Sequence, residues 1–158
     1  MINFTPKIRR FLKKNRSEKK EPIQVKDFID KFSEPIYEDT HIFKAQDILI
    51  KNKLSGLPVV DSSGMSVGYI SQKDCMIRMA KVKYNNDVSK LVKDFMTKKC
   101  FVISELESML TAMDIFTKNS YHILPVINEK KIIVGVLTRE KIFKYLASIE
   151  QQTWDYKK

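Results

Sequence analysis

Glycine, proline and cysteine are all scarce in this sequence, and each scarcity narrows what the protein can be. Four glycines and five prolines among 158 residues exclude collagen-like chains and chains dominated by flexible linkers. Two cysteines, Cys75 and Cys100, are too few for a disulfide framework or a zinc cluster. No apolar run approaches the roughly 18 residues that span a bilayer, and the N-terminus lacks the apolar stretch of a signal peptide. We therefore expect a soluble, cytoplasmic protein.

Acidic residues are also in the minority, because 19 Asp and Glu stand against 29 Lys and Arg, giving a net charge of +10. Residues 1–22 hold eight basic and two acidic residues and so supply +6 of that charge. Phe4, Ile8, Phe11 and Leu12 follow helical spacing, so we expect a short basic amphipathic helix there, followed by a flexible linker. Its apolar stripe packs on the rest of the protein, or the helix binds nucleic acid, an anionic membrane or an acidic partner.

The two halves of the chain repeat each other. Residues 25–77 align with residues 92–144 without a gap, and 17 of the aligned positions are identical. The longest matches are VKDF at 25–28 and 92–95, and Leu-Pro-Val at 57–59 and 124–126. Two copies are too few for a solenoid, so the repeat predicts two similar units that cover each other's apolar faces.

Each copy has the same predicted order of elements, β-α-β-β-α. Hydrophobic periodicity and turn residues predict the elements of both copies. Copy one has strands at 35–38, 57–60 and 67–71 and helices at 40–53 and 72–82. Copy two has strands at 102–105, 124–127 and 133–138 and helices at 107–119 and 139–152. We expect Asp39 or Thr40 to cap the first helix of copy one, and Ser104 with Glu107 to form a capping box in copy two.

The run from VKDFMTKKC to GVLTRE is similar to a CBS domain, and the run from VKDFI to ISQKD is similar to another. Together they resemble a CBS domain pair, or Bateman module, over residues 24–150. The resemblance implies an α/β (α+β) fold in which two units pack about a pseudo-two-fold axis. It also implies a homodimer that binds an adenosine-containing ligand (AMP, ADP, ATP or S-adenosylmethionine) in a cleft between the units and regulates a partner protein.

Ser71 and Asp74 begin the last helix of copy one, where free N–H groups and the helix dipole attract phosphate. The Ser71 hydroxyl can donate to a phosphate or ribose oxygen, and the Asp74 carboxylate can accept from a ribose diol. The same Ser-x-x-Asp spacing forms a capping box without any ligand, and the two roles can coexist. Copy two has Thr138 and Lys141 here, and a lysine cannot accept hydrogen bonds from a diol. We expect its cleft to be weak for adenosine, with Lys141 either contacting phosphate or lying on the surface.

The resemblance implies that an adenine slot forms from the segment before the first strand and the approach to the Pro-Val strand. The residues at these places are Pro35, Ile36, Tyr37, Gly56, Leu57 and Pro58 in copy one, and Phe101 and His122 in copy two. Ile36 and Phe101 are alternatively core residues, and Pro58 has alternatively a structural role in an edge strand. His122 has no nucleophile at a catalytic spacing, and the sequence contains no GxxxxGK[ST] or GxGxxG loop. We therefore expect no enzyme, no metal site and no required cofactor.

These observations divide the chain into residues 1–22, a basic segment; 23–82, unit one; 83–91, a linker; 92–152, unit two; and 153–158, a tail. We expect a stand-alone regulatory module that binds an adenosine nucleotide. The alternative is a nucleic-acid or anionic-membrane adaptor that acts through the basic N-terminal helix.

Overall fold

The computed structural model of the protein describes residues 23–84 and 90–155. The first copy consists of β1 (Ile36–Tyr37), α1 (Ile42–Asn52), β2 (Gly56–Val60), β3 (Ser66–Ser71) and α2 (Gln72–Tyr84). The second consists of β4 (Ile103–Ser104), α3 (Met109–Lys118), β5 (Ile123–Ile127), β6 (Ile133–Thr138) and α4 (Arg139–Asp155). A short 3-10 helix precedes each copy, at Val25–Phe28 and at Val92–Asp94. The helix expected in the basic segment lies outside the described residues.

Each copy contains a three-stranded sheet with the same topology. In copy one, β1 is parallel to β2 and β2 is antiparallel to β3; in copy two, β4, β5 and β6 repeat this arrangement. The registers also agree, since Val59 pairs with Gly68 and the equivalent residues of copy two, Val126 and Gly135, pair in the same way. The predicted mixed fold of two tandem β-α-β-β-α units is confirmed. No helix in residues 23–84 and 90–155 is both long and apolar enough to cross a membrane.

The first helix of each copy has one apolar face, and that face is buried. Ile42, Ala45 and Leu49 of α1 are at most 1% exposed. They pack with the strand residues Leu57 and Ile70 in the core of copy one. The corresponding face of α3, formed by Met109, Ala112 and Phe116, is buried in the core of copy two.

The helix caps differ from the sequence prediction. Neither Asp39 nor Thr40 caps α1, because the helix starts later and His41 is its N-cap, with Nδ1 accepting a hydrogen bond from the Phe43 N–H at 3.3 Å. Another part of the chain satisfies the first amide of this helix, since the Lys90 carbonyl accepts from the Ile42 N–H at 2.7 Å. A long-range partner of this kind is invisible to a local capping pattern.

The predicted capping box at α3 is wrong for the same reason. Ser108, rather than Ser104, is the N-cap, and its hydroxyl oxygen accepts from the Thr111 N–H at 3.1 Å. The carbonyl of Ile23, far upstream in sequence, accepts from the Met109 N–H at 3.0 Å. Both helices therefore begin where a distant segment crosses their N-terminus.

The segment that precedes each copy packs against the other copy, and we call residues 23–30 and 90–97 the crossing segments. Val25 precedes copy one, but it is completely buried in the core of copy two. Its N–H donates to the Glu107 carbonyl at 2.9 Å. In the reciprocal arrangement, Val92 is buried in the core of copy one and its N–H donates to the Thr40 carbonyl at 3.0 Å. Burying a valine contributes about 1.5–3 kcal/mol, so each copy depends on the other's crossing segment.

Each crossing segment also pairs with the last strand of the opposite sheet. Asp30 and Val136 exchange two backbone hydrogen bonds of 2.8 and 2.9 Å, and Thr97 and Tyr69 exchange two of 2.8 and 2.9 Å. Gly135 makes the first approach possible, because an added Cβ would lie 2.7 Å from the Asp30 carbonyl oxygen. A glycine at this position therefore has a packing role, which is close approach of two backbones.

The two copies are related by a pseudo-two-fold axis at the hairpin tips. Met65, between β2 and β3, forms an isolated bridge with Ile132, which is the equivalent residue of the second copy. A residue pairs with its own counterpart only where a two-fold axis passes between them. The two crossing segments are related to each other by the same axis.

We predict that the second half of the chain, residues 88–158, is unstable or self-associating when expressed alone, because it lacks the segment that carries Val25. A peptide of residues 23–34 should restore it, since a ligand at 100 times its dissociation constant adds about 2.7 kcal/mol. For a domain of this size that gain raises Tm by roughly 10–20 °C. Thermal unfolding monitored by circular dichroism measures the effect, with a Val25→Asp peptide as the control. A stable, monomeric half whose Tm does not change when the peptide is added would contradict the exchange of crossing segments.

Candidate functional site

A cavity of about 600 Å³ lies where the N-terminus of α2 faces copy two. The start of α2 forms one wall, and the other walls come from the crossing segment before β4 and from the approach to β5. The lining residues are Ser55, Tyr69, Ser71, Gln72, Lys73, Met76, Thr97, Lys99, Cys100, Phe101, Ser120, Tyr121, His122, Ile123 and Pro125. The crossing segments create this arrangement, because Thr97 is held against Tyr69 by backbone hydrogen bonds.

Ser71 and Asp74 form a complete capping box at the N-terminus of α2. Asp74 Oδ2 accepts from the Ser71 N–H at 2.9 Å and from the Ser71 hydroxyl at 2.6 Å. The Ser71 Oγ in turn accepts from the Asp74 N–H at 3.2 Å. These contacts occupy one carboxylate oxygen, Oδ2, and leave Oδ1 without a capping contact. Ser71 lines the cavity, whereas Asp74 is not among its lining residues.

An aromatic pair forms a flat apolar surface beside this helix end. The rings of Phe101 and Tyr121 stack with centroids 5.8 Å apart and planes inclined by 22°. Both rings line the cavity, and Phe101 is 48% exposed. Of the two alternatives for Phe101, core residue or ligand contact, its exposure excludes the first.

The charge of the cavity favours an anion. Lys73 and Lys99 both line it, and none of its described lining residues is acidic. The N-terminal amides of α2 add partial positive charge at the same end. A phosphate or carboxylate group would therefore gain from the field of this cleft.

Tyr69 is a lining residue that the sequence did not single out. Its ring covers Gly56, where an added Cβ would lie 2.3 Å from the Tyr69 hydroxyl oxygen. Burial raises the pKa of the Tyr69 phenol, with smaller contributions from Cys100 and Asp74, so the hydroxyl stays protonated at neutral pH. The sequence could have identified Tyr69, because side chains alternate along a strand and Tyr69 therefore lies on the same face of β3 as Ser71.

A second cavity of about 470 Å³ adjoins the first and shares Ser55, His122 and Ile123 with it. Thr138 and Arg139, at the N-terminus of α4, line its far side. An Arg139 guanidinium nitrogen and His122 Nδ1 are hydrogen-bonded at 2.9 Å, so His122 is engaged with a cation rather than with a nucleophile.

Lys141 lines neither cavity, and its side chain is 37% exposed. Its Nζ forms an ion pair with Asp30 Oδ1 and donates to the Ile29 carbonyl at 3.4 Å. Asp30 and Ile29 belong to the crossing segment that pairs with β6. No local pattern indicates this partner, because 111 residues separate the two side chains.

The remaining residues of the expected adenine slot do not gather around Ser71. Ile36 and Leu57 are completely buried in the core of copy one, and Pro58 is also buried. Pro35 and Tyr37 line a different cavity of about 290 Å³ near the β2–β3 turn. The structure therefore brings Ser71 together with Phe101 and His122 of copy two, and places Pro35 and Tyr37 elsewhere.

Within residues 23–84 and 90–155, no three His, Cys, Asp or Glu side chains lie close enough together to hold a metal ion. The arrangement at the 600 Å³ cavity offers hydrogen bonds, positive charge and an aromatic surface. Those are means of binding, and the described lining residues include no general base hydrogen-bonded to a nucleophile.

Comparison with known proteins gives a consistent family assignment. The CBS domain model matches the chain twice, at residues 25–81 and 92–148. Inosine-5'-monophosphate dehydrogenase from Helicobacter pylori is 29% identical over 127 residues, covering 78% of this chain and 25% of the dehydrogenase. The chain thus spans about a quarter of the length of the curated relatives it matches first.

Two solved structures share the fold over most of the chain. The CBS domain pair of MJ0100, in complex with 5'-methylthioadenosine and S-adenosyl-L-methionine, is 28% identical with a TM-score of 0.65. The match covers 81% of this chain and 98% of that one. CBSX2 from Arabidopsis thaliana in complex with AMP is 23% identical with a TM-score of 0.67, again covering 81% and 98%.

We predict slow alkylation of Cys100, which lines the cleft. Burial raises the pKa of its thiol to about 11, and a hydrogen bond involving Ser66 only partly opposes that rise. Because the thiolate is the nucleophile, its fraction at pH 8 falls roughly a hundredfold below that of an ordinary cysteine, and alkylation should be at least about tenfold slower. Iodoacetamide labelling followed by peptide mass spectrometry measures the rate, with the urea-unfolded protein as control. A rate that levels off near pH 9 would contradict the shift.

Proposed function

The chain belongs to the CBS domain family, and from that premise we propose that it is a regulatory module that binds an adenosine-containing ligand in the cleft at Ser71 and Asp74. The observation that carries the proposal is the convergence of three kinds of group on one cavity of about 600 Å³. The helix N-terminus with Ser71, the Phe101–Tyr121 surface, and Lys73 with Lys99 line this cavity and match the sugar, base and anionic parts of a nucleotide. Asp74 is hydrogen-bonded to Ser71 but is not itself a lining residue.

We propose a contact in the cleft for each part of the ligand. The adenine ring lies against Phe101 and Tyr121, because aromatic faces offer a flat apolar contact. The ribose diol donates to Asp74 Oδ1, which the capping contacts leave available. The phosphate or other anionic group lies near the α2 N-terminus and the two lysines. AMP, ADP, ATP and S-adenosylmethionine are the candidate ligands, and the adenosine compounds bound by the CBS pair of MJ0100 support this class.

We further propose that ligand binding regulates a partner protein and that the module itself carries out no reaction. The dehydrogenase relatives match over their CBS region alone, so their catalytic activity does not follow from the match.

We also propose a cytoplasmic homodimer. Met76, Ile77 and Phe143 support the dimer, since these large apolar side chains on α2 and α4 are 42–69% exposed.

A second candidate function rests on the charge of residues 1–22. That segment carries +6 and an apolar stripe, so it is suited to bind nucleic acid or an anionic membrane. Salt-sensitive binding to DNA or to anionic vesicles that is lost on deleting residues 1–22 would favour this function over the nucleotide module.

We predict that an adenosine nucleotide raises Tm. At 100 times its dissociation constant, a ligand that binds only the folded protein adds about 2.7 kcal/mol of stability. The test is a thermal-shift panel of AMP, ADP, ATP, NAD, S-adenosylmethionine and cyclic dinucleotides, with inosine monophosphate and GTP as controls for the base. No shift with any adenosine compound at millimolar concentration would contradict the proposed function.

The substitution Asp74→Ala is predicted to weaken adenosine-nucleotide binding about ten- to a hundredfold. The reason is the loss of a charged acceptor for the ribose diol, which costs roughly 1.5–3 kcal/mol. Titration calorimetry measures the affinity, and Asp114→Ala is the matched control, because Asp114 is a helical carboxylate paired with Lys118 outside the cleft. Unchanged affinity in Asp74→Ala would show that the carboxylate serves only as a cap.

A further inference from the structure

Tyr69 and Gly56 form a complementary pair that copy two does not have. The tyrosine ring lies over the glycine, because an added Cβ at Gly56 would be 2.3 Å from the Tyr69 hydroxyl oxygen and 2.5 Å from Cζ of the ring. At the equivalent positions copy two has Ile123 and Val136. Copy one therefore has a phenol in a place where copy two has only aliphatic side chains.

Backbone hydrogen bonds on two sides fix the position of this phenol. Tyr69 and Thr97 exchange two of them, of 2.8 and 2.9 Å, so β3 is held against the crossing segment. Gly56 adjoins the start of α2, since the Ser55 carbonyl accepts from the Gln72 N–H at 2.9 Å. A ring that lies over Gly56 thus carries its hydroxyl toward the N-terminus of α2.

The Tyr69 hydroxyl is a donor that the protein itself does not use. Within residues 23–84 and 90–155 no group is hydrogen-bonded to it, and Arg78 Nε is the one buried side-chain nitrogen or oxygen there that lacks a partner. The hydroxyl is therefore accessible, and Tyr69 lines the cavity of about 600 Å³. Burial raises the pKa of the phenol, so the proton is present at neutral pH.

The neighbours of the phenol place it beside the sugar of a bound nucleotide. Asp74, in the first turn of α2, and Cys100, which precedes Phe101, both contribute electrostatically to the raised pKa of Tyr69, so both lie near it. The proposed phosphate position is at the N-terminus of α2, and the proposed base position is at Phe101. A nucleotide that reaches from one to the other has its ribose next to Tyr69.

We infer that the Tyr69 hydroxyl donates a hydrogen bond to a ribose hydroxyl of the ligand and gives the cleft a preference for ribose over deoxyribose. The inference rests on the proposed function, since it takes the ligand to be an adenosine nucleotide bound in the 600 Å³ cavity. It adds a binding residue on β3 and names the part of the ligand that this residue recognises. A deoxy sugar would leave the partly buried phenol without an acceptor, and such a loss disfavours the analogue.

The experiment removes the hydroxyl and keeps the ring over Gly56, which is the effect of Tyr69→Phe. Titration calorimetry of the full chain with AMP, 2'-deoxy-AMP and 3'-deoxy-AMP measures three dissociation constants for each protein. The matched control is Tyr145→Phe, because Tyr145 lies on α4 with its ring edge-on to Phe28 at a centroid distance of 4.7 Å and does not line the cavity. Thermal unfolding checks that each variant is folded.

Tyr69→Phe should weaken the binding of AMP about two- to tenfold, the usual net effect of losing one hydrogen bond. One of the two deoxy analogues lacks the contacted hydroxyl, and its affinity should differ between Tyr69→Phe and the wild type by less than about twofold. The wild type should bind that analogue more weakly than AMP by at least the factor that the substitution costs AMP. Tyr145→Phe should bind all three nucleotides as the wild type does.

The outcomes separate this inference from the proposed function. If Tyr69→Phe binds AMP as tightly as the wild type, or loses the same factor for AMP and for both analogues, the inference is wrong and the proposed function stands. Equal affinity of the wild type for all three nucleotides would also overturn the inference alone, and it needs no variant. Absence of binding of AMP to the wild type would overturn both.

Discussion

Each half of the chain completes its core with a segment that belongs, in sequence, to the other half. Val25 fills the core of copy two and Val92 fills that of copy one, and neither unit of roughly 60 residues would bury enough apolar surface alone. Backbone hydrogen bonds between Asp30 and Val136, and between Thr97 and Tyr69, attach each crossing segment to the sheet of the other copy. The pseudo-two-fold relation of the copies is therefore a consequence of packing as well as of the repeated sequence.

The same exchange produces the candidate site. Because the segment before β4 crosses onto copy one, Phe101 of the second copy meets Ser71 of the first in one cavity. The equivalent crossing in the other direction delivers Asp30 to Lys141. The exchange of crossing segments thus forms an open, positively charged cleft at copy one and an ion pair between Asp30 and Lys141 at copy two. At the two positions of that ion pair, copy one has Asp74 and Thr97.

The fold was largely predictable from the sequence, and the site only partly. The order β-α-β-β-α was expected, because the gapless repeat and the helical spacing of apolar residues in α1 and α3 can both be recognised in the sequence. The helix caps were not, because carbonyls of Lys90 and Ile23 reach the helix ends from distant sequence. For the site, the Ser-x-x-Asp pattern identified the helix end, whereas the partners Tyr69 and Asp30 depend on tertiary contacts that no periodicity contains.

The central claim is that an adenosine ligand binds between the α2 N-terminus and the Phe101–Tyr121 surface. A crystal structure of the full chain soaked with AMP tests it most directly. We expect electron density for the base against Phe101 and Tyr121, with a ribose hydroxyl about 2.7 Å from Asp74 Oδ1 and the phosphate near Lys73 or Lys99. Density for AMP only in the cavity at Thr138 and Arg139, or at Pro35 and Tyr37, would contradict the account.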